Sequence, residues 1–246
     1  MFLPLSAQAP ALLPGEGLAM VGADGVIQAY GEADRESPMG SLAKLVWIRF
    51  QGDEWAARDM GFRCVKGGVN GYECWEKKGH GRVDLAKALK ESCNLAFLAW
   101  ADWSLAEEKR LYGDGVTRVR LEDAFRPFLG TRLKPGNEVP ALGPPWIGDG
   151  DLLRTTPRAM LQWMIHPAQE RMMAQCRRLM LGFQGFVMEK PTWWMKTGTA
   201  PVPGEYGETC AWVAGSNGVV TAVLRVPRGK GRSDGLARFK AIMGLP

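Results

Sequence analysis

Several features that define whole classes of protein are missing from this 246-residue sequence. It contains no run of about 18 apolar residues, so no stretch of it can cross a bilayer as a helix. It contains no collagen-like or low-complexity segment, and with 46% apolar and 23% charged residues it has the composition of one globular domain or two small ones. It also lacks a Gly-x-Ser-x-Gly motif, which disfavours a conventional Ser–His–Asp hydrolase.

Signals for metal binding are sparse as well. The sequence has five cysteines but no Cys-x-x-C pair, and its two histidines, His80 and His166, are expected to be structural or exposed. Cys64 and Cys74 flank a glycine-rich turn segment, residues 67–71, so a local disulfide is predicted, which requires an oxidising compartment. A zinc site with His80 as a third ligand and a set of reduced thiols are the alternatives, and we favour the disulfide.

The charge balance is mildly basic. The net charge is +5 and the sequence pI is about 9.0, but the basic residues are spread along the chain. The densest basic run, at residues 225–232, is predicted to be a loop and not a recognition helix. We therefore expect no nucleic-acid partner.

The first residues resemble the end of a signal peptide. Residues 1–5 are apolar, and Ala7-Gln8-Ala9 fits the small-x-small pattern that precedes a signal-peptidase cut, although a charged region and a longer apolar stretch are missing. We expect residues 1–16 to be disordered or a truncated signal peptide, and the protein to be exported to the periplasm.

Strand signals occur at both ends of the chain, with helical signals between them. An Asp24-Gly25 pair joins two short apolar runs in a predicted hairpin, and three further β-type runs follow residue 192. Strands at both ends predict an α+β domain over residues 17–246, in which the two chain ends form one antiparallel sheet. A helical subdomain at about residues 51–190 is inserted into it.

A serine and a lysine share the predicted start of the first long helix. Ser37-Pro38 is a predicted N-cap, which places Ser41 in the first turn, and Lys44 lies three residues later on the same helix face. A buried lysine loses its proton more easily, and a neutral amine beside a hydroxyl is a nucleophile–base pair. Alone, the spacing also fits a capping serine and a surface lysine.

Two further short motifs carry polar groups. Ser92 and Asn94 lie two residues apart at a predicted helix boundary, where they could relay a proton and bind an amide, or merely cap a helix. Lys196, Thr197, Gly198 and Thr199 end a predicted strand. Such a strand can supply a charge for a carboxylate, let a ligand backbone approach at the glycine, and pair with an extended peptide.

Together, in this order, these motifs form the signature of penicillin-recognising serine enzymes. The chain resembles the transpeptidase domain of penicillin-binding proteins over about residues 17–244. Residues 79–94 are similar to the stretch before that family's Ser-x-Asn motif, and residues 147–157 are similar to its "IGQG…TP" segment. The residues before Ser41, Pro38-Met39-Gly40, depart from the family's usual proline-small pair.

The resemblance implies a serine β-lactamase/DD-peptidase-like fold, with a role for each motif residue. Ser41 would be the acylated nucleophile, Lys44 its base, and Ser92 a proton donor to the leaving amine. Substrate binding would fall to the residues Asn94, Lys196, Thr197, Gly198 and Thr199. The backbone N–H groups of Ser41 and Thr199 would form the oxyanion hole. No metal or organic cofactor is implied.

Three functions follow from this resemblance. The first is a DD-transpeptidase or carboxypeptidase that acts on D-Ala-D-Ala-type peptidoglycan stem peptides. The second is a class D-like β-lactamase. Tyr112-Gly113-Asp114 is weakly similar to the Tyr-Gly-Asn motif of that class, whereas Asn94 stands where that class usually has an aliphatic residue. The third is a sensor that binds a β-lactam or muropeptide without turnover. Membrane-associated cell-wall proteins are possible further partners.

Overall fold

The structure is a computed structural model that describes residues 9–58, 60–66, 68, 72–129, 143–181 and 192–246. Residues 1–8 of the expected signal-peptide remnant lie outside these ranges, as do residues 67 and 69–71 of the predicted glycine-rich turn. Within the described residues, no helix combines the length and apolar character that crossing a membrane requires.

The central element is a five-stranded antiparallel sheet, as predicted. Its strand order is β2-β1-β9-β8-β7, so the first two strands of the chain pair with the last three. The bounds are β1 Gly17–Val21, β2 Ile27–Gly31, β7 Trp194–Pro201, β8 Thr209–Ser216 and β9 Thr221–Val226. Strand β7 lies at one edge of this sheet.

The segment between these strands is mainly helical. The helices are α1 Ala43–Ala57, α2 Leu85–Lys90, α3 Asn94–Tyr112, α4 Asp114–Leu129, α5 Pro157–Ile165 and α6 Glu170–Leu181, followed by α7 Leu236–Ile242 after the last strand. Two small antiparallel pairs accompany them. They are β3 Ser37–Pro38 with β6 Arg154–Thr155, and β4 Phe62–Cys64 with β5 Gly81–Val83.

The predicted N-cap at Ser37-Pro38 is wrong. These residues form strand β3, and helix α1 begins only at Ala43, after a 3₁₀ turn at Gly40–Leu42. The extended conformation is fixed by pairing with β6 and by Trp212, whose indole Nε1 donates a hydrogen bond of 2.8 Å to the carbonyl of Pro38. These contacts anchor the segment that leads to Ser41.

The sheet separates two apolar layers. Alternate residues of β1 point to opposite faces, so that Leu18 and Met20 pack with Phe239 of α7, whereas Ala19 and Val21 pack with the helical segment. The larger layer contains Trp47 of α1, which is fully buried and stacks on Trp55 at a centroid distance of 5.9 Å. Burial of such large side chains packs α1 into the helical layer, where Trp47 also contacts Phe125 of α4, and this packing fixes the position of its first turn.

Candidate active site

Ser41 and Lys44 lie at the junction between the 3₁₀ turn and α1. Lys44 Nζ lies 2.9 Å from Ser41 Oγ, within hydrogen-bonding distance. Ser41 is partly exposed, whereas the Lys44 side chain is fully buried. The structure therefore places a hydroxyl that solvent can reach next to an amine that solvent cannot.

Burial governs the charge of Lys44. Desolvation lowers its pKa to about 8, and the negative charges that Cys93, Cys74 and Asp149 can carry oppose the shift without cancelling it. The aromatic ring of Phe97, whose centroid is 5.6 Å from Nζ, forms part of the apolar surroundings. Near neutral pH a fraction of the Lys44 side chains is a neutral amine, which can accept the proton of the serine hydroxyl.

Gly40 allows the turn that carries Ser41 to approach strand β7. Its φ is +55°, and a Cβ atom there would lie 2.5 Å from the carbonyl oxygen of Thr199. Across the same contact, a Cβ at Gly198 would lie 3.3 Å from the backbone nitrogen of Ser41. The backbone beside Ser41 and that of the Lys-Thr-Gly strand thus touch, as an oxyanion hole built from both would require.

Ser92 and Asn94 occupy the break between α2 and α3. The sequence predicts a helix boundary here, and the structure has one: Ser92 has φ +54° and is the only non-glycine residue with positive φ in the part of the chain that the structure describes. Asn94 begins α3, and its Oδ1 accepts a hydrogen bond of 2.7 Å from Lys44 Nζ. Asn94 of the Ser-x-Asn motif is thus hydrogen-bonded directly to Lys44 of the Ser-x-x-Lys motif.

Lys196 connects the third motif to the second. Its side chain is buried on β7, where Nζ donates hydrogen bonds to Ser92 Oγ and, at 2.7 Å, to the carbonyl of Thr197. Burial, followed by repulsion from Lys44, lowers its pKa well below the usual value for lysine. Thr199 Oγ1 accepts a hydrogen bond of 2.9 Å from the backbone N–H of Gly231. The hydrogen bonds of the motifs therefore form two groups, one around Lys44 and one around Lys196, and the backbone from Ser92 to Asn94 joins them into one network.

Two residues in this network were not predicted from the sequence. Asn94 Nδ2 donates to Tyr72 Oη at 3.1 Å, and Tyr72 Oη donates to Asp149 Oδ2 at 2.5 Å. Burial, followed by the hydrogen bond to Asp149, raises the pKa of Tyr72, so its hydroxyl stays protonated. Asp149 replaces the glutamine of the "IGQG" pattern, and that departure was the signal available in the sequence.

Trp75 and Arg232 add an exposed part to the site. The Trp75 indole N–H donates to the carbonyls of Glu91 and Ser92 at 3.2 and 3.1 Å, and its ring is about half exposed. The Arg232 guanidinium lies over this ring, 5.5 Å from the centroid, and its charge contributes to lowering the pKa of Lys196. Trp75 and Arg232 thus lie beside Ser92 and Lys196 of the motifs, at the exposed side of the candidate site.

The predicted Cys64–Cys74 disulfide is not present. All five cysteines are free thiols, and His80 Nδ1 lies 3.5 Å from Cys64 Sγ and 3.4 Å from Cys74 Sγ. Cys93 joins the same cluster, where its hydrogen bond to Cys74 lowers the pKa of Cys74 and raises its own. Four potential metal ligands thus converge at the place where a disulfide, and no metal, was predicted.

Comparison with solved structures identifies the fold. Pseudomonas aeruginosa PBP2, in complex with WCK 5153, is similar with a TM-score of 0.60 and 14% identity, over 93% of this chain and 70% of that chain. Mycobacterium tuberculosis PonA1, in complex with penicillin V, is similar with a TM-score of 0.58 and 13% identity, over 88% of this chain and 69% of that chain. The Fusobacterium nucleatum class D β-lactamase FUS-1 gives a TM-score of 0.54 and 14% identity, over 94% of this chain and 90% of that chain.

No protein-family model matches the sequence, and no curated protein sequence matches it either. The structural likeness nevertheless extends over nearly the whole chain, from 88% to 94% of it in these three comparisons. The chain has the fold that penicillin-binding proteins and class D β-lactamases share.

Proposed function

We propose that this protein is a penicillin-recognising serine acyl-enzyme that acts on D-Ala-D-Ala-type peptidoglycan stem peptides, as a DD-transpeptidase or carboxypeptidase. The observation that carries the proposal is the contact of 2.9 Å between Lys44 Nζ and Ser41 Oγ, in which the amine is fully buried and the hydroxyl is accessible. A nucleophile with an adjacent base of lowered pKa is the arrangement that covalent acyl transfer requires.

The acylation step follows from the network. Ser41 Oγ attacks the carbonyl carbon of the scissile amide, and its proton passes to neutral Lys44. As the new C–O bond forms and the amide C–N bond breaks, the leaving nitrogen takes the proton of Ser92 Oγ, and Ser92 regains a proton from the Lys196 ammonium hydrogen-bonded to it. The proton that Lys44 gains balances the one that Lys196 loses. The acyl group on Ser41 is then released to an amine or to water.

The remaining residues fit a substrate with an anionic terminus. Lys196 and Arg232 supply cationic groups beside the Ser41 turn, and a carboxylate bound there would raise the pKa of Lys196 again. Strand β7 is at the edge of its sheet, so an extended peptide can add to it by backbone hydrogen bonds. The carboxamide of Asn94, oriented by Lys44 and Tyr72, is placed to bind a substrate amide.

Covalent labelling with a fluorescent penicillin tests the proposal. We expect one adduct per chain, its loss in Ser41→Ala, and its retention in Ser233→Ala, a matched change at an exposed serine on the turn next to Arg232. Circular dichroism shows whether each variant is folded. Labelling of folded Ser41→Ala, or no labelling of the folded wild-type protein, would refute the assignment of Ser41.

A class D-like β-lactamase is the second candidate. It is supported by the share of each similar protein that this chain covers. That share is 90% for FUS-1 and 92% for the class D β-lactamase BAT-2, but 60–70% for the penicillin-binding proteins PBP2 and PonA1. The lifetime of the penicillin adduct separates the candidates. A stable adduct supports the transpeptidase or sensor functions, and rapid loss with product release supports the lactamase.

Export is part of the proposed function, because peptidoglycan lies outside the cytoplasmic membrane. Membrane-associated cell-wall proteins remain proposed partners. Among the similar structures, Helicobacter pylori PBP2 occurs in a complex with MreC. Co-purification of the full chain from membranes, with and without crosslinking, tests for such a partner.

A further inference from the structure

Next to the proposed active site, four soft-metal ligands meet in one place. The Sγ atoms of Cys64, Cys74 and Cys93 and a ring nitrogen of His80 all lie within 4.8 Å of one another. The three cysteine side chains are buried. His80 Nε2 is also buried, and it has no hydrogen-bond partner among the residues that the structure describes. The proposed acylation mechanism uses none of these four side chains.

The distances match a tetrahedral centre. With zinc–sulfur and zinc–nitrogen bonds of their usual lengths, ligand atoms of a tetrahedral site lie about 3.5 Å apart for sulfur and nitrogen. His80 Nδ1 lies 3.5 Å from Cys64 Sγ and 3.4 Å from Cys74 Sγ. A disulfide would instead require two sulfurs in covalent contact, and no pair of the five cysteines makes one.

The surrounding backbone is shaped for this convergence. Cys64 ends strand β4, His80 immediately precedes its partner β5, and Cys93 is the N-cap of α3. Gly79, with φ +75°, brings the two hairpin arms together, since a Cβ there would lie 2.5 Å from the carbonyl oxygen of Cys64. The ligands therefore come from three separate elements, and their approach depends on a contact that only glycine allows.

The described part of the loop that carries Cys74 has no apolar core of its own. Among the described residues from 65 to 80, Cys74 is the one buried residue, and Val65 and Trp75 are 44% and 47% exposed. A loop of this length without an apolar core of its own is stabilised in many small domains by a structural metal.

We propose that Cys64, Cys74, His80 and Cys93 bind one Zn²⁺ ion in a closed, structural Cys₃His site. Three thiolates and one imidazole form a donor set that selects zinc over hard cations such as Mg²⁺ and Ca²⁺. The thiols release their protons to solvent as the metal binds, and no oxidant or reductant is needed. With all four positions taken by protein, the ion has no open position for substrate.

The bound ion would link the segment that carries Ser92 and Asn94 to the loop that carries Cys74. Cys93 lies between Ser92 and Asn94 in the chain. Its coordination to the metal would therefore fix the backbone that carries both residues, including the positive φ of Ser92. Cys74 lies two residues after Tyr72, which orients Asn94, and directly before Trp75, which donates a hydrogen bond to the carbonyl of Ser92. This consequence rests on the proposed function, whereas zinc binding itself does not.

Metal analysis of the purified full chain tests the site. After expression with zinc in the medium, we expect one zinc per chain by elemental analysis and by native mass spectrometry. Cys74→Ala should lose the zinc, whereas Cys210→Ala, a buried free cysteine on β8 outside the cluster, should keep it. Cobalt in place of zinc should give the visible spectrum of a tetrahedral thiolate site.

The wild-type measurements decide the matter even if a variant does not fold. Zinc-free folded protein that takes up neither zinc nor cobalt in titration would overturn the proposal. So would a Cys64–Cys74 disulfide found by peptide mapping, or folded Cys74→Ala that keeps its zinc. Metal content is independent of penicillin labelling, so a zinc-loaded protein that forms no adduct would refute the proposed function and leave the metal site intact.

Discussion

The pH dependence of acylation gives the most direct test of the Lys44 amine. With a pKa of about 8, this amine is neutral in about 1% of molecules at pH 6, about 9% at pH 7 and half at pH 8. Only the neutral form can take the proton of Ser41. The rate constant for acylation by penicillin should therefore rise about tenfold from pH 6 to pH 7, and level off above about pH 9.

The matched variant is Lys44→Met, which removes the amine but fills most of the space. It should lower the acylation rate by roughly 10²–10⁴-fold, the usual contribution of a positioned general base, and abolish the pH slope. Lys90→Ala, at an exposed lysine of α2, serves as the control and should keep both the rate and the slope.

Stopped-flow or gel-based labelling with a fluorescent penicillin, from pH 6 to pH 9 in buffers of constant ionic strength, measures both quantities. The penicillin carboxylate stays ionised over this range, so the slope reports on the protein. A rate that does not change between pH 6 and pH 9 would refute the role of Lys44, and so would a Lys44→Met variant that retains the wild-type slope.

Three further predictions follow from the geometry. Gly40→Ala should lower the free energy of unfolding, measured in urea titrations, by about 1–3 kcal/mol or more. It should also prevent labelling by penicillin, because the new Cβ would clash with the backbone of β7. Gly25→Ala, also at positive φ but with open space around it, is the control and should label normally. Tyr72→Phe should slow acylation about 3- to 10-fold by removing one hydrogen bond to Asn94, and an unchanged rate would contradict that positioning role. Below pH 8, Lys44→Met should be more stable than wild type by up to about 3 kcal/mol, because burial lowers the pKa of the amine from its ordinary value of 10.5 to about 8 in the folded protein. Between pH 8 and 10.5 the unfolded chain binds the extra proton, so wild-type stability rises with pH and the difference narrows. Urea titrations at pH 7 and pH 10 check the sign.

Much of the sheet could be predicted because its signals are local. Apolar runs of four to five residues around Asp24-Gly25 define one hairpin, and β1 shows the alternation that places successive side chains on opposite faces. The turn after β8 contains Asn217-Gly218, a pair that predicts a type I′ turn, but Asn217 does not have the positive φ that such a turn requires. Its side chain instead accepts hydrogen bonds from the backbone N–H groups of Val219 and Val220.

Less of the site could be predicted, because its connections are between distant segments. The spacing of Ser41 and Lys44 indicated their contact, but nothing local pointed to Asn94, fifty residues away, as the partner of the amine. The sequence indicated a helix boundary at Ser92 and Asn94, but it gave no sign of the positive φ of Ser92. A positive φ at a serine is fixed by tertiary contacts, in this case the hydrogen bond that Trp75 donates to the carbonyl of Ser92 and the bond that Lys44 donates to the side chain of Asn94.

The metal cluster was not predicted either, because its members come from segments that are distant along the chain. Its members are separated by nine, five and twelve intervening residues along the chain, and these spacings do not form the short pairs by which zinc sites are recognised. The β4–β5 hairpin sets Cys64 next to His80, and the N-terminus of α3 brings in Cys93. Proximity in sequence favoured a Cys64–Cys74 disulfide, whereas proximity in the fold favours ligation of a shared ion.

The arrangement costs stability, and that cost is itself an argument for function. Two amines, those of Lys44 and Lys196, are buried near each other, and burial and mutual repulsion both disfavour their charged forms. Ser92 adds backbone strain on the order of 1–3 kcal/mol. A chain selected for stability alone would replace these groups with apolar residues, as Lys44→Met is expected to demonstrate. Their retention beside an accessible Ser41 is explained if the strain and the lowered pKa values serve a reaction at that hydroxyl.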